Sequence, residues 1–203
     1  VFSKVISKKI KWALIHFISG LIILSTLSLL VFNTWFIDGR YLLSDLFGLA
    51  TIIFLLDLAL GPLLSLWLLS PVNSRKENTI NISVILLLQL CSLAYGLLQI
   101  DSQRLAYFIK WQGSYFAVTK GESRKEANNE QFYIFDEPAV GSEGREIYES
   151  LIKEAVSPVE MYEFFTPSSF EGECGAMCGV ITKKGIVIVT KENGKLKFNK
   201  SLR

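Results

Sequence analysis

Hydrophobic positions in this chain come in three long runs and then break up. The runs cover residues 12–36, 46–69 and 80–100. Each is long enough to cross a hydrocarbon layer of about 30 Å at about 1.5 Å per helical residue. Polar links separate them: Asp38-Gly39-Arg40 after the first, and a loop around Arg75 and Lys76 after the second. Beyond Asp101 the apolar residues fall into short alternating stretches. Residues 104–111 and 114–119 read as two strands joined at Gln112-Gly113, and residues 131–135 as a third. Residues 120–130 are charged and without period, which predicts a loop. Ile147, Leu151 and Ala155 recur at helical spacing within residues 144–155, which Pro158 would end. Residues 161–165 fit no single template. Residues 179–182 and 186–190 flank Lys183-Lys184-Gly185 as a second hairpin, and residues 196–198 could add a strand. The predicted class is a membrane protein: three transmembrane α-helices in residues 1–101, then a small α+β domain in residues 102–203, built on a small antiparallel sheet with about one helix.

Charge sharpens that division. Residues 1–101 hold five acids and seven bases, whereas residues 102–203 hold fourteen of each. Lys4, Lys8, Lys9 and Lys11 precede the first run, and Arg75 and Lys76 sit in the second loop, while the first loop has only Arg40 beside Asp38 and Asp45. By the positive-inside rule the N-terminus and second loop face the cytoplasm, so residues 102–203 emerge on the far side. In a bacterium with two membranes that places the protein in the inner membrane with a periplasmic domain. The first run is too long for a cleaved signal peptide and lacks an Ala-x-Ala site, so an uncleaved signal anchor is expected. Trp12 and Trp35 bracket it as interfacial aromatics do. His16, one turn inside its basic end, reads as an interfacial histidine; it is the sole His of the chain and offers no metal site.

The second run carries the candidate chemistry. Asp57 lies near its midpoint, and Gly61-Pro62 follows one turn later. A carboxylate at mid-bilayer costs about 2.5–3.5 kcal/mol on insertion scales, so it needs a partner or a proton. Pro62 cannot donate to the Leu58 carbonyl, which predicts a kink. Ala50, Asp57, Gly61 and Ser65 share one small, polar helix face, expected to meet other helices. In the third run Gln89, Ser92 and Gly96 share a face, and Ser92-x-x-x-Gly96 is a close-approach pattern. Gln89 and Asp57 are expected at similar depth, where a hydrogen bond would offset part of the cost of burying both; Ser25 or Ser28 of the first run are alternative partners for Asp57.

Cys174 and Cys178 stand in GECGAMCG, while Cys91 lies in the third run. Their spacing and glycines suit a local disulfide in an oxidising compartment. A redox-active pair is the alternative, although such pairs are usually Cys-x-x-Cys on a thioredoxin-like scaffold. A metal site would need two further ligands, and this half has no His. The sequence shows no phosphate loop, no nucleophile elbow and no His-bearing metal motif, so no catalytic residue and no cofactor are assigned. The chain has no basic stripe interleaved with aromatics, which argues against nucleic acid.

Several of these residues together resemble a known family. Trp35-Phe36, the stretch Asp57-x-x-x-Gly61-Pro62-Leu63-Leu64-Ser65-Leu66 ending at Pro71, Gln89-x-x-x-Leu93-Ala94-Tyr95-Gly96, and Arg104 before strands resemble the TfpX/TfpZ-type accessory proteins of bacterial type IV pili. The likeness covers about residues 30 to 120 and is weaker beyond. It departs at Ile37-Asp38-Gly39, where the family usually has prolines, and at Arg104-Leu105, where it usually has Arg-Pro. The resemblance implies a non-enzymatic inner-membrane protein that helps a cognate pilin reach or leave the pilus. Its partners would be that pilin, the inner-membrane assembly platform and lipid. Asp57, Gly61, Pro62, Gln89, Ser92 and Gly96 would then pack helices or contact the pilin. Two other readings stay open: a membrane thiol–disulfide protein using Cys174 and Cys178, and a small sensor or transporter subunit using Asp57.

Overall fold

The computed structural model describes residues 2–123, 131–154 and 158–200. The chain divides into two compact units: one holds the residues up to Thr34 and Leu46–Ile100, the other Trp35–Asp45 and the residues from Asp101 on.

The first unit is three helices, α1 (Phe2–Trp35), α2 (Leu46–Leu68) and α3 (Arg75–Ser102). All three are long and apolar enough to cross a membrane. Few of their residues are buried by protein, because their Leu, Ile and Phe side chains point outward, as a lipid-facing surface requires. α1 reaches back through the lysine segment to Phe2, earlier than the hydropathy of residues 12–36 implies. Helix α3 starts earlier than expected for a local reason. Ser74 and Glu77 form a reciprocal capping box, with Ser74 N–H donating to Glu77 Oε2 at 2.8 Å and Glu77 N–H to Ser74 Oγ at 3.2 Å. The tight α2–α3 turn is held by Asn78, whose amide donates to Ser70 O and accepts from Ser70 N–H, and by Asn81 Nδ2 donating to Leu68 O. Cys91 is a free thiol that faces out of this bundle.

The second unit is one seven-stranded sheet. Its strands are β1 (Leu105–Trp111), β2 (Ser114–Thr119), β3 (Phe132–Phe135), β4 (Phe165–Ser168), β5 (Met177–Thr182), β6 (Gly185–Glu192) and β7 (Lys195–Lys200), in the order β4-β3-β1-β2-β5-β6-β7. The sheet is mixed rather than antiparallel: β1 pairs with β3, and β2 with β5, in parallel. The local hairpins were legible in the sequence; the parallel pairs join strands far apart in the chain, and no turn signal marks them. Gln112 and Gly113, both at positive φ, make the β1–β2 turn.

Two layers of side chains cover the sheet. On one face Phe108, Phe132, Val180, Val189 and Phe198 pack under Phe170 of a short helix α5 (Phe170–Cys174) and under Leu43. On the other, Tyr107, Ile109, Val118 and Tyr133 pack with Tyr148 of α4 (Glu143–Lys153), Met161 and Phe165. The expected helix is α4; its proposed end at Ala155 and most of the charged loop, residues 124–130, lie outside the described residues. Residues 161–165 resolve into a 3-10 turn, Tyr162–Phe164, that enters β4.

The first polar link belongs to this second unit. Residues Ile37–Leu43 form tight turns broken by Asp38 and Gly39 at positive φ, pack along edge strand β7, and bury Leu43 in the core. Arg104 stacks its guanidinium 5.1 Å over the Trp35 ring, and Lys184 pairs with Asp45 at 2.5 Å. If α2 and α3 both cross a membrane, residues 35–45 and those after 101 leave it on the same side.

Candidate functional site in the helical bundle

A ladder of small and polar residues lines the α2–α3 seam. At one level Ile53 meets Gly96, where a Cβ on Gly96 would lie 2.6 Å from Ile53 Cγ2. One turn on, Asp57 accepts a hydrogen bond from Ser92 Oγ at 2.5 Å. One turn further, Gly61 faces Gln89, and next Ser65 and Ile85 are both buried. Gly61 and Gly96 are therefore spacing residues: each leaves room that a neighbouring helix fills. α2 runs as helix through Pro62 to Leu68.

Helix α1 joins this seam through His16. Its Nε2 lies 2.8 Å from Gln89 Oε1, and its Nδ1 lies 2.7 Å from Ser65 Oγ. An amide oxygen can only accept, so Nε2 donates to Gln89, and a neutral ring then accepts the Ser65 hydroxyl at Nδ1. One imidazole thus ties all three helices. Bonds of this kind average about 0.6 kcal/mol in membrane bundles and reach about 2 kcal/mol. Gly61 makes the arrangement possible, because a Cβ there would sit 2.8 Å from His16 Nε2 and closer still to the Gln89 amide.

The pairing differs from the expected one. Asp57 takes Ser92, not Gln89, Ser25 or Ser28, because Gln89 is one helical turn away, level with Gly61. His16 is not simply an interfacial residue; it turns inward. The signal was present in the face Ala13, His16, Gly20, Leu24, of which Ala13 and Leu24 are buried. Asp57 itself is only 5% exposed, and its second carboxylate oxygen, Oδ2, has no partner. That oxygen is the unspent hydrogen-bonding capacity of the seam.

In the second unit Cys174 and Cys178 are joined as a disulfide, their Cα atoms 5.1 Å apart. The bridge links the end of α5 to β5, and both residues pack against the sheet core. The neighbouring Glu173 accepts from Lys110 Nζ at 2.8 Å and from Ser168 Oγ at 3.2 Å, while its carbonyl accepts from Tyr115 Oη at 2.8 Å. The Glu173 carboxylate holds the Lys110 ammonium above the ordinary lysine value. α5 is thus fastened to the sheet independently of the sulfurs. We expect Cys174→Ser to lower stability by less than about 3 kcal/mol, since the closed loop is short. Denaturant unfolding with and without reductant checks this; a Cys174→Ser protein that fails to fold would contradict it.

Among the described residues no three His, Cys, Asp or Glu side chains stand together as a metal site. Comparison with known proteins bears on about half of the chain. A fimbrial assembly protein of serogroup I from Dichelobacter nodosus is 34% identical over 86 residues, which is 42% of this chain and 34% of that protein. A fimbrial assembly protein of serogroups C1 and C2 from the same organism is 30% identical over 108 residues, covering 53% of this chain and 82% of the relative. The chain thus spans about a third of the length of the first relative and most of the second. No family model matches the sequence, and no solved structure matches it.

Proposed function

The chain belongs to the family of the Dichelobacter nodosus fimbrial assembly proteins, and from that premise we propose that it is a non-enzymatic accessory protein of type IV pilus assembly. It sits in the inner membrane with its N-terminus in the cytoplasm and its sheet domain in the periplasm. There it binds the membrane-stored pilin, in the manner of the TfpX/TfpZ-type proteins its sequence resembles. The carrying observation is the match to the serogroups C1 and C2 protein across most of that protein's length. The three apolar helices with a separate sheet domain support the reading, because a pilin held in the same membrane presents both an apolar helix and a soluble head. The disulfide is then a staple of the periplasmic domain. Both cysteines are partly buried against the sheet core, which favours that role over redox exchange, where the attacked sulfur must be accessible.

Deleting the gene tests the reading. Surface piliation should fall at least about tenfold while the cellular pilin level holds, and the full chain supplied in trans should restore it. A periplasm-specific reporter fused at the C-terminus of the full chain should be active. Normal piliation in the deletion strain would overturn the proposal, and a reporter active only in the cytoplasm would overturn the orientation.

A further inference from the structure

Helices α1 and α3 do not close completely over α2. Between them lies a cavity of about 160 Å³ lined by Ser19, Gly20 and Ile23 of α1, Gln89 and Leu93 of α3, and Asp57 of α2. We propose that this groove receives a fourth transmembrane helix, which presents one hydrogen-bond donor (a hydroxyl, amide or ammonium) to Asp57 Oδ2.

Two observations carry the proposal. The first is the carboxylate. Asp57 is 95% buried, its Oδ1 is taken by Ser92, and its Oδ2 has no partner inside the bundle. A buried polar atom without a partner is costly in hydrocarbon, so a donor supplied from outside would be gained at full value. The second is Gly20. A Cβ there would meet nothing within 4 Å, unlike the crowded Gly61 and Gly96. Glycine costs a helix roughly 0.5–1 kcal/mol relative to alanine, and nothing within the bundle uses its small size. Beside Ser19, whose hydroxyl is satisfied by the His16 carbonyl at 2.9 Å, Gly20 makes a low point on α1 where another backbone can approach.

The depth of the site selects a helix as occupant. Asp57 is central in the 23 residues of α2, so a lipid headgroup would have to reach down about 15 Å, half the hydrocarbon thickness, to meet it. A transmembrane helix carries donors at that depth. The cavity holds one side chain, so the helix would lie across the mouth and insert a single group.

The partner named in the test rests on the pilus reading above. A photocrosslinking residue is placed at Gly20, and separately at Leu87, an outward-facing position of α3, in the full chain in its own cells. Adducts are probed with an antibody to the cell's major pilin. We expect a pilin adduct from position 20 and at least about tenfold less from position 87. Asp57→Asn keeps an oxygen for Ser92 but turns the free acceptor into a donor. At equal protein level it should cut the adduct about three- to tenfold, the range set by one interhelical hydrogen bond. Should Asp57→Asn fail to accumulate, Gly20→Leu serves instead: a Cβ at position 20 meets nothing within 4 Å, and the larger side chain should abolish the adduct from a crosslinker at Ile23.

An adduct from position 20 with a second copy of this chain, or with lipid alone, overturns the groove. So does a pilin adduct indifferent to these substitutions. In either case, pilin adducts from other positions would leave the pilus reading standing. Absence of pilin adducts from every position, together with normal piliation in the deletion strain, would remove both.

Discussion

Gly39→Ala should be among the most damaging single substitutions in the sheet domain. Gly39 has φ of 85°, where an L side chain is strained, and a Cβ there would run into the Phe198 carbonyl of β7. The backbone conformation alone costs about 1–2 kcal/mol for a residue with a side chain. The clash adds to this, because a carbonyl in a strand pair cannot swing away as the end of a long side chain can. To relieve it, residues 37–43 must lift from β7 and withdraw Leu43 from the core. We expect a loss of at least about 3 kcal/mol, and hence a fall of the domain's melting temperature by more than about 10 °C. Gly113→Ala is the control. Gly113 has φ of 78° but open space around its Cβ, so it should lose only the conformational part. Thermal unfolding of the full chain in detergent, followed by near-ultraviolet circular dichroism, compares the two. Equal shifts would mean that the link does not dock on β7 as described.

The same segment shows where sequence reading stops. Asp38-Gly39-Arg40 between two apolar runs looks like a solvated turn, and composition alone gives no sign that it packs on a strand far along the chain. Its one clue is Gly39 between two charged residues. The three helices were legible because hydrocarbon allows few alternatives: every backbone group must be satisfied within the segment, so an apolar run of this length reads as a helix. The hairpins were legible because β1–β2 and β5–β6 are joined by local turns. The parallel pairs β1–β3 and β2–β5 depend on packing across the whole domain, which no window of sequence contains. Within the bundle, the polar face of α2 was visible from its period, but partner choice was not. Depth read by counting residues is uncertain by about a turn, and a turn is what separates Gln89 from Ser92 as the mate of Asp57. The role of His16 needed the third helix in place, since its two partners come from α2 and α3.

Gly61→Leu should undo the bundle's polar knot. The site leaves no room on its outer side: a Cβ at position 61 already falls 2.8 Å from His16 Nε2 and nearer to the Gln89 amide nitrogen. A leucine must therefore expel the imidazole, the amide, or both. Overpacking of this kind costs about 1–3 kcal/mol. The displaced groups add to it, for Gln89 Oε1 and Ser65 Oγ lose their His16 bonds, and each buried group left unpaired costs about 1–3 kcal/mol. With both groups left unpaired the sum is about 3–9 kcal/mol, taken from a bundle whose interhelical bonds average only about 0.6 kcal/mol each. Gly61→Ala should lie between, because the Gln89 side chain can retreat from one methyl group. His16→Leu separates the two causes: it removes the same hydrogen bonds without crowding α2, so it should cost less than Gly61→Leu. The readout is the rate at which a thiol reagent labels a cysteine placed at Ile85, which is 1% exposed at the α2–α3 seam, in a Cys91→Ser background. Labelling should be slow in the parent, faster in His16→Leu, and fastest in Gly61→Leu. Equal protection in all three would show that neither the glycine nor the histidine holds the helices together.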